Sequence, residues 1–176
     1  MPDPISELRR LETELQALRA RIAPAQARET WTDTNWRFAF HTRRDRFALR
    51  LEQVGEVLPM CWLTPYPEAP PWMCGLLNWH GQMIPILDVG ARIERRAHQV
   101  CATDTIVVVH DDGATLGLVV DRAIGVEPAT EVLQPVPLEL PQTPYVVGLF
   151  EVDGEATFAL SLRALVATSD LPEVSS

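Results

Sequence analysis

The sequence predicts a mainly β protein in which one β-rich unit is used twice, with an amphipathic helix added in front. Three observations predict it. The first is Gly75-Leu-Leu-Asn-Trp-His-Gly-Gln-Met-Ile-Pro-Ile-Leu-Asp88, two apolar runs joined by His80-Gly81. An Xaa-Gly pair in that setting signals a two-residue hairpin, because Gly takes positive φ without a Cβ clash. The second is its return as Gly148-Leu-Phe-Glu-Val-Asp-Gly-Glu-Ala-Thr-Phe-Ala-Leu-Ser161, where Gly148 and Gly154 are spaced as Gly75 and Gly81 are. The third is agreement upstream. Phe38–His41, Phe47–Leu51 and Val57 in the first copy answer to Val107–His110, Leu116–Val120 and Val126 in the second. Proline-rich connectors, Pro59–Pro71 and Pro128–Pro144, fall in the same place in both. Units of about 65–70 residues can each bury a small core.

Taken in order, Asp3-Pro4 is an N-cap and first helical position. Ile5, Leu8, Leu11, Leu15, Leu18 and Ile22 then recur three or four residues apart, a narrow apolar stripe on a helix ending before Pro24. Two readings are open for the stripe. It lies on the protein's own β units, or it self-associates or docks through Leu8, Leu11, Leu15 and Leu18. Residues 24–35 form a linker, with Trp31 tucked into a surface groove. The first strand is Trp36–His41. Arg43, Arg44 and Arg46 form a basic cluster in the polar turn that follows, read as solvated. The second strand starts near Phe47, with Leu49 and Leu51 inward. Val54–Leu58 is the third, and Gly55 within it marks a bulge or a close backbone approach. The Gly75 hairpin supplies the fourth and fifth. Pro85 marks an edge or a bulge there, since it cannot donate to a ladder. A short helical stretch follows Asp88, and residues 95–103 link the halves. The second half repeats the pattern: Asp104–His110, an Asp112-Gly113 turn, Thr115–Val120, a piece near Ile124–Val126, Tyr145–Val152, Glu155–Ser161 and a helix near Leu162–Thr168.

Composition narrows the function classes. The 176 residues have a net charge of −9, and all 15 basic residues are Arg. Residues 97–176 hold only Arg122 and Arg163 against twelve acids. An acidic domain repels phosphate backbones, which argues against nucleic-acid binding and suits a basic protein partner. No stretch nears the length of a membrane span, and the first 22 residues lack a secretory pattern. Cys61, Cys74 and Cys101 are odd in number and widely spaced, which points to a reducing cytoplasm.

Chemistry finds little to work with. His41, His80, His98 and His110 with the three cysteines show no short metal-ligand spacing, so no metal site is expected. A Cys nucleophile needs a His base and an orienting group. Cys74 with His80 is the pair such an enzyme would use, but Cys74 suits a small buried apolar role better. Asp111 and Asp112 fall in a hairpin turn, where neither carboxyl is raised for acid–base work. Binding or scaffolding is the stronger reading, with no catalytic residues and no cofactor.

The Gly75–Asp88 stretch resembles the G-x-x-N-x-R-G-x-x-x-P-x-x-D signature of CheW-like domains, the coupling proteins of bacterial chemotaxis. Leu116-Gly-Leu-Val-Val-Asp121 and Tyr145-Val-Val-Gly148 fit too, so the resemblance spans residues 36 to about 167. It implies two tandem five-stranded SH3-like β-barrels, about 36–94 and about 104–168, with residues 1–35 as an added helix and linker and 169–176 as a tail. It implies no enzymatic activity and no cofactor. It implies a scaffold that links the cytoplasmic tips of methyl-accepting chemoreceptors to a histidine kinase through the kinase's own CheW-like regulatory domain, without nucleic acid or membrane insertion. Such a protein sits in the cytoplasm, at membrane-associated polar receptor arrays. Residues matching the family's groove positions are Val54, Glu56, His80, Ile106 and Gly117, and these are expected to converge on one surface. Gly75, Gly81, Gly148 and Gly154 are the structural turn positions. The chain departs from the signature at His80, where the family has Arg, and at Trp79, where it has an aliphatic residue. Those departures also fit a diverged relative serving array localisation or pilus signalling.

Overall fold

The computed structural model describes Trp31 and residues 35–166. The predicted N-terminal stripe, with Leu8, Leu11, Leu15 and Leu18, and the tail from residue 167 lie outside the described residues.

Each copy supplies five strands and then a short helix. The first runs β1 (Trp36–His41), β2 (Arg46–Arg50), β3 (Val54–Pro59), β4 (Met73–Trp79), β5 (Gln82–Asp88) and α1 (Val89–Glu94). The second runs β6 (Thr105–Asp111), β7 (Ala114–Val120), β8 (Arg122–Pro128), β9 (Val146–Val152), β10 (Glu155–Leu160) and α2 (Leu162–Val166). The repeat in the sequence is therefore a repeat in structure. The strands form two five-stranded sheets, ordered β8-β1-β2-β10-β9 and β3-β6-β7-β5-β4. Replacing each strand of one sheet by its counterpart in the other copy generates the other sheet.

One expectation is corrected here. The repeat predicts consecutive barrels, about 36–94 and about 104–168. Instead the copies exchange their first two strands. β1 pairs with β8, and β2 runs parallel to β10 with Phe47 opposite Phe158. Reciprocally, β6 pairs with β3, and β7 runs parallel to β5 with Gly117 opposite Ile86. A repeat defines the units but not which copy each strand joins.

The exchange explains the core. Phe47, Ala48 and Leu49 are consecutive yet all fully buried, as are Ile106 through Val109. A strand covered on both faces loses the alternation of a half-exposed one. Ile84, Ile86, Ile106, Val108 and Val119 form a cluster drawn from the β3-to-β4 sheet alone. Ala48, Val147, Phe150 and Ala159 do the same for the other sheet, joined by Trp31 from ahead of β1. The largest cluster joins both sheets, with Phe40, Phe47 and Leu49 against Leu87, Val107, Val109 and Leu118. Trp31 is thus buried inside a sheet's own core against Phe150, not in a surface groove. Val100, at the same distance ahead of β6, packs against the other core.

The glycines follow from close approaches. A Cβ on Gly75 (φ 139°) would stand 2.6 Å from the Thr64 carbonyl oxygen; one on Gly148 would stand 2.8 Å from that of Gln134. These contacts belong to matching bridges, Thr64 to Leu76 and Gln134 to Leu149, which pin each proline-rich connector over its sheet. His80-Gly81, Asp112-Gly113 and Asp153-Gly154 all have two successive positive φ values, as type I′ hairpin turns require. Gly81 and Gly154 therefore hold equivalent turns, as expected. Pro85 does not mark an edge: β5 lies between β4 and β7, and Pro85 falls one residue before pairing with β7 begins.

The Arg43–Arg46 turn is also corrected. Arg44 is exposed, but Arg46 is buried, donating to Thr157 at 2.8 Å and Glu127 at 2.6 Å. Arg37 is buried too, 2.7 Å from Glu127 and stacked over Phe150. Its Nη1 lies 2.8 Å from Glu131, close enough for an ion pair although neither atom meets hydrogen-bond geometry. Burying two guanidinium groups is tolerable only with such partners.

Candidate partner-binding site

β3 and β4 are the outer strands of one sheet, and a Trp79–Glu56 hydrogen bond links them. What joins them at one end is a side-chain cluster. Glu56 projects from β3 just past the bulge at Gly55, where the register with β6 shifts. Trp79 ends β4, and its indole N–H donates to Glu56 Oε2 at 2.6 Å. His80 Nε2 lies 3.2 Å from the same oxygen. The imidazole stands edge-on to the Trp79 ring, with centroids 4.6 Å apart. Asn78 holds the turn, its Oδ1 accepting from the Gly81 N–H at 3.0 Å. His110 packs 5.5 Å from the Trp79 ring and pairs with Thr115 Oγ1 at 2.9 Å. Gly55 has no Cβ because the His110 ring occupies that place.

The electrostatics follow from this geometry. The Trp79 hydrogen bond, and then that of His80, hold the Glu56 carboxyl below the usual glutamate range. Glu56 is therefore a fixed carboxylate at neutral pH, half-exposed beside an exposed His80. An anchored anion with a wet rim can orient a cation on a partner, which adds specificity more than affinity.

The five predicted groove residues do not converge. Glu56 and His80 meet. Val54 is half-buried and packs against the shared core. Ile106 is fully buried, clustered with Ile84, Ile86, Val108 and Val119 in the core of its own sheet. Gly117 is buried, and a Cβ there would run into Ile86 and Ile106. The exposed apolar neighbour of Glu56 is Val57, 43% exposed. Sequence reasoning missed Trp79 as the carboxylate's main donor, although its bulk at an aliphatic position was the signal. It also missed His110, which nothing in the spacing ties to Gly55.

The Cys74–His80 pairing lacks its nucleophile. Burial pushes the Cys74 thiol up to about 12, with Asp88 adding to the shift, so it stays protonated near neutral pH. Among the described residues, no group of three His, Cys, Asp or Glu could hold a metal, and no helix is long and apolar enough to cross a membrane.

The comparisons place this geometry in a known setting. The family model for the CheW-like domain matches residues 38–170. The chain belongs to the CheW-like domain family. It is 26% identical over 136 residues to the "Probable chemotaxis protein CheW" of Rhizobium etli, covering 75% of this chain and 87% of that protein. To the "Chemotaxis protein CheW" of Rhizobium meliloti it is 30% identical over 83 residues, covering 47% and 54%. To "Protein PilI" of Pseudomonas aeruginosa it is 26% identical over 133 residues, covering 73% and 71%. The crystal structure of the scaffolding protein TtCheW from Thermoanaerobacter tengcongensis superposes with a TM-score of 0.71, covering 80% of this chain and 92% of that one. At 24% identity that likeness speaks for the fold. This CheW-like chain is built on two five-stranded sheets, each taking strands from both copies.

Proposed function

We propose that the protein is a non-catalytic adaptor that couples chemoreceptors to a histidine kinase, with the Glu56–Trp79–His80 cluster on its partner-facing surface. The observation that carries the reading is the fixed Glu56 carboxylate, gripped by Trp79 and His80 where the outer strands meet. The partners are the kinase's CheW-like regulatory domain and the helical tip of a methyl-accepting chemoreceptor, met in the cytoplasm at membrane-associated arrays. Val57, next along the outer strand β3 but on its opposite face, supplies an exposed apolar contact to a partner that wraps this edge, which buried Ile106 cannot. A second reading, an adaptor in pilus-linked signalling, is favoured by the likeness to Protein PilI and by His80 standing in the family's Arg position.

Titration of the full chain with the regulatory domain of a histidine kinase from the same cell tests the proposal. Glu56→Ala should weaken binding by about tenfold, the scale of one lost charge-assisted contact. Val57→Asp should weaken it further, while both variants keep the thermal midpoint. Unchanged affinity in both would move the interface to another face.

A further inference from the structure

An open cleft of about 390 Å³ is lined by Pro71, Trp72, Arg92, Arg95, Arg96 and Tyr145. It shares no residue with the Glu56 cluster. α1 supplies Arg92, its end supplies Arg95 and Arg96, and the two connectors supply the rest. Arg92 is buried, its guanidinium 4.5 Å from the Trp72 ring centroid and 5.1 Å from that of Tyr145. Its Nε donates to the Leu165 carbonyl at 3.3 Å. Arg96 is engaged by Glu94 at 2.6 Å and faces Asp88 at 3.8 Å. The Arg95 guanidinium has no ion pair or hydrogen bond among the described residues.

Arg95 is also a backbone outlier. It caps α1 at φ 53°, ψ 42°, the left-handed conformation that helix ends normally give to glycine. A side chain kept at such a position, with its charge uncommitted at the rim of an aromatic cleft, points to a ligand. The ligand's charge is limited. Arg92 has partners of its own, and Glu94 and Asp88 answer Arg96, so the Arg95 guanidinium is left over, enough for a monoanion. A phosphate dianion would meet those same two carboxylates. Trp72, Tyr145 and Pro71 offer apolar walls to whatever carries the charge.

We propose that this cleft takes a carboxylate carried on an apolar segment of a partner protein, with Arg95 gripping the carboxylate and Trp72 and Tyr145 packing its neighbours. This second contact does not depend on the receptor–kinase reading. The test follows the Trp72 indole N–H of the full chain by NMR, assigned through Trp72→Phe. The probes are acetyl-Leu-Glu-Leu-amide, its Gln counterpart and inorganic phosphate. The Glu peptide should shift the signal saturably, and the Gln peptide should bind at least about tenfold more weakly. Arg95→Gln and Arg95→Gly should remove the Glu preference without lowering the thermal midpoint. Equal binding of the two peptides, tighter binding of phosphate, or intact preference in both Arg95 variants would overturn the proposal. So would movement of the Trp72 signal in Asp170→Asn/Glu173→Gln without peptide, since the chain's own acids would then fill the cleft.

Discussion

Gly75 lies within β4 and Gly81 just past its end; both have positive φ, yet different constraints act on them. Gly81 (φ 84°) has nothing within 4 Å of the place a Cβ would take, so only its backbone demands glycine. Gly75 (φ 139°) would also drive a Cβ against the Thr64 carbonyl, and Thr64 is held by two hydrogen bonds to Leu76. Gly81→Ala should therefore cost about 1–2 kcal/mol, the penalty of a left-handed L-residue. Gly75→Ala should cost about 2–4 kcal/mol, since overpacking against backbone adds to the strain. Urea denaturation of both variants checks the order; equal midpoints would mean the connector yields freely. Both glycines were legible as turn or strand-start signals. The crowding at Gly75 was not, because its cause sits eleven residues earlier in a proline-rich segment without periodicity.

At the scale of elements, the connectors behave as structure. Residues 129–142 are tied to β1 through Glu131 and Arg37, as well as by the Gln134 bridge. The Arg37 guanidinium holds the Glu131 carboxyl below its ordinary 4.5. A lowered folded-state value means the pair stabilises the protein fully above the unfolded value and stops doing so as pH falls through the folded one. Glu131→Gln should thus be less stable than the parent at pH 7 by about 1–2 kcal/mol, discounted because Arg37 keeps Glu127 and Glu131 is partly exposed. The gap should close below about pH 4. Thermal melts at both pH values decide it, and a pH-independent gap would assign the loss to packing. Strands and hairpins were readable from alternation and Xaa-Gly pairs. Buried Arg37 and Arg46 were not, because their partners come from β8, its connector and β10, far along the chain. Ile106 was misplaced for a related reason: alternation says which residues share a face, but not that Ile84, Ile86 and Val119 of β5 and β7 cover that face.

For the whole molecule, the exchange of strands follows from chain length in the second copy. Val120 ends β7 opposite Thr105 of β6. β8 pairs with β1 so that Arg122 lies opposite His41, whose counterpart on β6 is His110. Were β8 to pair with β6 of its own copy, Arg122 would have to lie near His110 while Val120 stayed near Thr105. Those positions are five residues apart along a strand, about 17 Å. Only Asp121 intervenes, and two Cα steps reach about 7 Å. Parallel neighbours need a long crossover, so β8 must leave for the other sheet. Between β2 and β3 the 3-10 turn Leu51–Gln53 gives the chain a longer reach, so the limit is set by the second copy. It follows that neither half is a domain. A chain of residues 36–94 would keep β1 with β2 and β4 with β5 but leave β3 without β6, its one pairing strand among the described residues. Isolated hairpins of that size are marginal in water. We therefore expect residues 36–94 and 104–168 each to lack dispersed NMR signals alone, and the full chain to melt in one transition. Mixing the halves should restore the dispersed spectrum, because each supplies what the other's sheet lacks. A dispersed, cooperative spectrum from residues 36–94 alone would show that a barrel can close within one copy and would refute the length argument.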